Sequence, residues 1–303
     1  MALLDLIFAA RPLLHLPVWS IFLVSLHYHH ELSGKSWSFT DFGIVAMLSL
    51  LASSAYYINQ LYDFESDKLN GKVAFLERGY VTKNGLVVAT IATAVVGLAG
   101  SICFGATIVA IALQLLLLAL MYSVPPVRLK DRPLAGLFAN AYGYGFLIPF
   151  SVMPEINVDN AGLLGWDNPF YFFCAVGAVY VMTTLSDIRG DAATGKCTVA
   201  VVFGRTRCYL LAVMLLGGGC WFGWSSEHFL LAAIAGISLG TTVIAIFARS
   251  ERFDLFATKL PILLLTILAG WWYPFYLLFM VALIAGTRLY YKRRFGMIYP
   301  RLA

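Results

Sequence analysis

Three oxygen-bearing side chains, Asn59, Asp63 and Asp67, recur at four-residue intervals where a long apolar run over 41–58 gives way to a Lys-rich polar segment. On a helix that spacing puts all three on one stripe. Carboxylates at the end of a membrane-length helix are costly unless positive charge faces them. Oxygen donors with no His or Cys beside them suit Mg²⁺ better than zinc. A second set closes another apolar run: Asp187 and Asp191 are again four apart and share a face. Gly190, Gly195 and Gly204 mark turns or close approaches around it. Helix capping, or pairing with Arg189 and Lys68, accounts poorly for two such sets on one side of a bilayer. Two facing carboxylate clusters repel when empty, and Mg²⁺ shared with phosphate oxygens removes the repulsion.

A third polar stretch reads Tyr122-Ser123-Val124-Pro125-Pro126-Val127-Arg128-Leu129-Lys130. Its two prolines stop a helix and stiffen the segment after it. They hold Arg128 and Lys130 in a loop, and basic groups beside a magnesium site are what a diphosphate requires. Either residue taken alone reads equally as an ordinary topology signal. Asn140 is an uncharged polar group inside an apolar span and is expected to face the same cavity.

The elements that must carry these groups are membrane helices. Of 303 residues, 60% are hydrophobic and 12% charged, with mean hydropathy +0.81. That excludes a soluble globular domain, and the absence of period-2 alternation excludes a transmembrane barrel. Ten spans are read, near 12–30, 41–62, 84–103, 105–124, 134–153, 169–186, 207–224, 228–248, 257–271 and 274–291. Trp271-Trp272-Tyr273-Pro274 is expected to turn between the last two, with one helix kinked at Pro274 as the alternative. Loops after spans two, four, six and eight hold nearly all the Lys and Arg outside the tail. The opposite loops carry Glu155, Asp159, Asp167 and Glu227. The positive-inside rule therefore puts the polar motifs at the cytoplasmic face of a multi-pass cell-membrane protein. The net charge of +5 follows those loops, and no nucleic-acid partner is expected. No cleavable signal peptide is expected at the N-terminus. The five cysteines read as buried core residues and His27, His29 and His30 as interfacial groups. The chain divides as one domain over 1–303: two pseudo-repeats, 1–132 and 133–250, and a C-terminal part, 251–303. Such a repeat places the acidic sets across a shared cavity.

In combination, Asn59-x₃-Asp63-x₃-Asp67, the Tyr122–Lys130 loop, Asn140-Ala-Tyr-Gly and Asp187-x₂-Gly-Asp191-x₃-Gly195-x₂-Thr198 resemble the UbiA superfamily of intramembrane prenyltransferases, over about 10–290. The resemblance implies an all-α bundle of nine helices, against the ten spans read above, with cap loops after helices two and six. It implies two Mg²⁺ ions held by Asn59, Asp63, Asp67, Asp187 and Asp191. A donor diphosphate would be gripped by Asn59, Lys72, Tyr122, Arg128, Lys130 and Asn140, with the four aspartates and Lys130 as the catalytic set. Gln60, Lys72, Phe75-Leu76-Glu77 and Ala200 depart from the common pattern.

The implied reaction is Mg²⁺-dependent transfer of an isoprenyl group, geranyl to geranylgeranyl or longer, to a hydrophobic acceptor within the lipid bilayer. Charge building on the departing diphosphate is the unfavourable part, which metal and basic side chains offset. Tyr62, Phe64, Tyr122, Tyr142 and Tyr144 are candidates to lie near the allylic cation. The acceptor stays open among aromatic quinone precursors, glycerol-phosphate lipids, tetrapyrroles and other isoprenoids. A cation-coupled secondary transporter is the rival reading, since intramembrane aspartates in a repeated bundle also suit a carrier.

Overall fold

The computed structural model describes residues 3–69, 75–153 and 167–300. Lys72, Glu155 and Asp159 lie outside the described residues. Among the described residues every regular element is helical. The order is α1 (Leu3–Ala9), α2 (Leu16–Ser33), α3 (Phe39–Leu69), α4 (Lys83–Ser101), α5 (Ala106–Ser123), α6 (Pro133–Asn140), α7 (Ile148–Phe150), α8 (Asp167–Ala193), α9 (Val199–Ser225), α10 (Phe229–Ala248), α11 (Glu251–Trp272) and α12 (Pro274–Phe295).

Nine helical stretches among these residues are long and apolar enough to cross a bilayer. The tenth expected span, 134–153, is helical too, but a π-helical segment, Ala141–Leu147, divides it into α6 and α7. All ten spans read from the sequence are thus helical, one of them interrupted. Pro149 lacks an N–H for the preceding turn, and Gly143 and Gly145 let the wound backbone approach its neighbours. A Cβ on Gly145 would collide with the Phe172 carbonyl of α8. The region 251–295 forms two helices that meet at Tyr273-Pro274, not one kinked helix.

Helix ends follow from the sequence. The Thr82 hydroxyl accepts the Gly85 N–H at 3.0 Å and starts α4. Gly34 and Gly296, both with positive φ, end α2 and α12. Val87, Val88, Ile91, Val95 and Val96 form an exposed stripe on α4, as expected of a face turned to lipid. Inside, α8 packs on α9 and the π segment, α3 on α4 and α5, and α11 on α2, α8 and α10. The largest buried cluster joins Phe22, Leu48, Ile111, Tyr171 and Phe172 in the half of the bundle away from the acidic helix ends. There too His27 stacks on Trp272 at 3.7 Å and His228 on Tyr28 at 3.8 Å, an aromatic end layer. The cysteine expectation holds only in part. Cys208 is buried and Cys174 and Cys220 half-buried, but Cys103 and Cys197 are exposed. Cys103 ends an apolar run and Cys197 lies in the polar segment before α9.

Candidate active site

Asn59, Asp63 and Asp67 occupy the last three turns of α3, and Asp187 and Asp191 the last two of α8. All five line one cavity of about 490 Å³. Tyr122, Lys130 and Asn140 line it as well. Eight of the ten residues expected at the site are therefore brought together.

Charge at the cavity mouth is balanced by neighbours distant in sequence. Lys130 Nζ lies 2.8 Å from Asp63 Oδ1, and Lys196 Nζ donates a hydrogen bond to the same oxygen at 3.0 Å. Lys196 also stands 3.8 Å from Asp191 Oδ1, so it ties the two acidic helix ends together. Arg11 donates to Asp67 Oδ2 at 2.5 Å. Asp63, Asp67, Asp191 and Lys130 are each under a tenth exposed, so these pairs sit in a low-dielectric setting where an uncompensated charge is costly. Burial pushes the Lys130 ammonium below the usual lysine range, and Asp63 beside it opposes that shift.

Local backbone explains how the cations arrive. After α8, Gly195 adopts positive φ and Lys196 N–H returns to the Asp191 carbonyl at 2.9 Å, folding the lysine back over its own helix end. Arg11 also has a left-handed backbone, breaking the chain between α1 and α2 beside the end of α3. Arg128, left-handed as well, begins the tight turn Leu129–Asp131 that carries Lys130 inward. Arg128 itself is turned away. It pairs with Asp131 at 2.8 Å and is not among the cavity's lining residues, unlike the other described residues expected at the diphosphate. The i, i+3 carboxylate captures it locally.

Below the mouth the cavity becomes apolar. Tyr122 and Tyr144 line it as expected. Tyr62 is exposed, and Tyr142 stacks on Phe138 and Phe146 and donates to Gln114, so neither lines the cavity. Phe64 does not line it either. Tyr56, Tyr171 and Tyr180 do, unanticipated from the sequence. Tyr144 donates to Tyr56, which donates to the Leu14 carbonyl. The Tyr122 hydroxyl lies near Asn140 and Tyr180.

The residues expected to hold metal share one cavity but form no preassembled centre. Among the described residues no three His, Cys, Asp or Glu side chains stand close enough to hold one ion. Lys130, Lys196 and Arg11 stand against Asp63, Asp191 and Asp67. The donor set still fits Mg²⁺: four carboxylates and two carboxamides line the cavity, with no His or Cys among its walls.

The sequence profile of the UbiA prenyltransferase family matches residues 16–255. The chain belongs to this family. The match takes in both acidic helix ends, the Pro-Pro loop and Lys196, but not Arg11 or α12. The fold agrees with that of a UbiA homologue from Archaeoglobus fulgidus determined bound to GPP and Mg²⁺. The TM-score is 0.64, with 17% identity, over 88% of this chain and 98% of that one. Among named relatives, digeranylgeranylglyceryl phosphate synthase of Sulfolobus acidocaldarius is 29% identical over 60% of this chain and 65% of its own length. Homogentisate solanesyltransferase of Arabidopsis thaliana is 29% identical over 59% of this chain and 49% of its own length. The chain thus spans between half and two thirds of each of these relatives.

Proposed function

We propose that this UbiA-family chain transfers an isoprenyl group from an allylic diphosphate to a lipophilic acceptor within the membrane. One observation carries the reading: a polar mouth, built from two acidic helix ends and three cations, opens onto an apolar cavity. A diphosphate suits the mouth and a hydrocarbon tail suits the cavity.

Asn59, Asp63, Asp67, Asp187 and Asp191 would hold magnesium, two ions by family resemblance, whose charge when bound offsets that of the departing diphosphate. Lys130 and Lys196 are the basic partners, each already set against Asp63. Binding of the charged donor releases them from that carboxylate to the phosphate oxygens. The C1–O bond of the donor breaks with its electron pair leaving on the diphosphate, and the allylic cation lies among apolar and aromatic walls that exclude water. The acceptor then bonds to C1 and gives up a proton. By the positive-inside pattern the mouth faces the cytoplasm.

A cation-coupled carrier would hold its acids near the bilayer midplane in interrupted helices. Here they lie in the last turns of two continuous helices. The deciding experiment incubates purified protein with Mg²⁺, labelled geranylgeranyl diphosphate and a panel of phenolic and glycerol-phosphate acceptors. Prenylated product that disappears with EDTA supports the reading. Metal-independent transport of a solute with no product from any acceptor rejects it.

A further inference from the structure

The cavity has a floor, and its depth can be measured along two helices. Leu48 and Asp63 both line it from α3, fifteen residues apart; Tyr171 and Asp187 both line it from α8, sixteen apart. At ~1.5 Å per residue both walls run ~22–24 Å from mouth to floor.

The floor is tightly built. Tyr171 is 2% exposed and donates its hydroxyl to the Leu231 carbonyl at 3.0 Å, pinning α8 to α10. Phe172, pressed against Gly145 of the π segment, closes beside it with Ile21 and Ile148, each buried. Above the floor the walls are lined by small residues: Ala52 and Ala55 on α3, Ala119 on α5, Gly143, and Ala175 on α8. The bore is open to the depth at which aromatic side chains stop it.

Carbon–carbon bonds of ~1.5 Å advance a trans chain ~1.2 Å each, so one isoprene unit, with four such bonds along its length, reaches ~5 Å. A depth of ~22 Å takes about four units. A tail of eight or more units would be ~40 Å long and would have to leave the cavity sideways.

We infer that the donor of this chain is a diphosphate of about four isoprene units, and that Tyr171 and Leu48 set that limit as specificity-determining residues. The inference rests on the prenyl-transfer reading above.

The test measures binding, so it does not depend on knowing the acceptor. Purified full-length protein with Mg²⁺ is loaded with labelled geranylgeranyl diphosphate, which is displaced by diphosphates of two, three, four, six and nine isoprene units. Affinity is expected to rise up to four units, as each buried CH₂ adds to binding, and to fall about tenfold or more at six and nine. Ala52→Phe, which fills the bore part-way down, should move the optimum to two or three units. Tyr171→Ala should admit six, and Tyr171→Phe should keep the parent profile. A flat profile from four to nine units in the unaltered protein overturns the inference. So does a profile that stays unchanged in Ala52→Phe and Tyr171→Ala, with circular dichroism matching the parent. Absence of binding by every diphosphate rejects the transfer reading itself and the inference with it, an outcome distinct from a flat profile.

Discussion

Asp63 Oδ1 receives two ammonium groups, from Lys130 and Lys196, which approach from separate loops far along the sequence. That pairing sets what each substitution does. In Asp63→Asn both lysines lose their shared counter-ion in a buried mouth, and the position loses its charge toward magnesium. Prenyl transfer should fall by at least ~10²-fold, the scale seen when one preorganised electrostatic group is removed. Stability should drop by about 1–3 kcal/mol, as for a buried group left unsatisfied. Product formation and thermal unfolding in detergent measure the two separately. Full activity in the folded variant would remove Asp63 from the site. Lys130→Ala should weaken donor binding about tenfold or more, since a charge-assisted contact contributes ~1.5–3 kcal/mol. Arg128→Ala, already committed to Asp131, should change donor affinity less than twofold, roughly the scale of an exposed ion pair. Equal losses in the two variants would mean that Arg128 swings into the mouth. The acidic stripes were legible in the sequence because a four-residue period survives without any tertiary information. Lys196 and Arg11 were not: each meets its carboxylate only through folding, across 133 and 56 residues. Arg128 stands outside the cavity lining because a carboxylate three residues on pairs with it locally, and Asp131 was the available clue.

At the scale of elements, hydropathy delivered the helices and missed how one of them is built. A run of apolar residues looks the same whether it winds as α or π, so the expected span 134–153 gave no warning of its interruption. Only Gly143, Gly145 and Pro149 hinted at it. The irregular turn matters because it carries Tyr144 into the cavity wall one turn after Asn140, while seating Gly145 directly on α8. Gly145→Ala forces the π segment off the Phe172 carbonyl, and backbone cannot yield as a side-chain tip can. We expect a loss of about 1–3 kcal/mol in stability, the usual cost of overpacking, together with weakened donor binding as the floor shifts. Gly240→Ala on α10, with open space around its Cβ position, is the contrast: neutral, or more stable by up to ~1 kcal/mol through helix propensity. Thermal unfolding of the two side by side checks this. A Gly145→Ala protein as stable as the parent would mean that α8 and the interrupted helix are not packed as described.

At the scale of the whole molecule, the first and last helices close on one another beside the site. Asp5 of α1 is 2% exposed, accepts from Tyr290 at 2.6 Å, and takes a two-pronged contact from Arg294 of α12 at 3.1 and 2.9 Å. Phe8 stacks on Tyr290 at 3.8 Å, and Tyr57 of α3 donates to the Leu6 carbonyl at 3.0 Å. The short α1 is thus held between α3 and α12, and its end presents Arg11 to Asp67. Removing either member of the Asp5–Arg294 pair should therefore act in unequal degree. Arg294→Ala takes the cation from a buried carboxylate still held by Tyr290 and should lower the unfolding midpoint, by less than loss of a fully buried pair would because the arginine head is solvated. Asp5→Asn removes the charge that needs compensation and should cost less. The double variant should be no worse than Arg294→Ala alone, because the charge stranded by one change is abolished by the other. Unfolding midpoints of the three proteins measure this. Additive losses would mean that the pair stabilises through its separate contacts and not through one shared charge. If α1 also positions the mouth, Arg294→Ala should weaken donor affinity at temperatures where it is still folded. Arg11→Ala should then weaken it no further in the Arg294→Ala background, since the clasp acts on the donor site through Arg11.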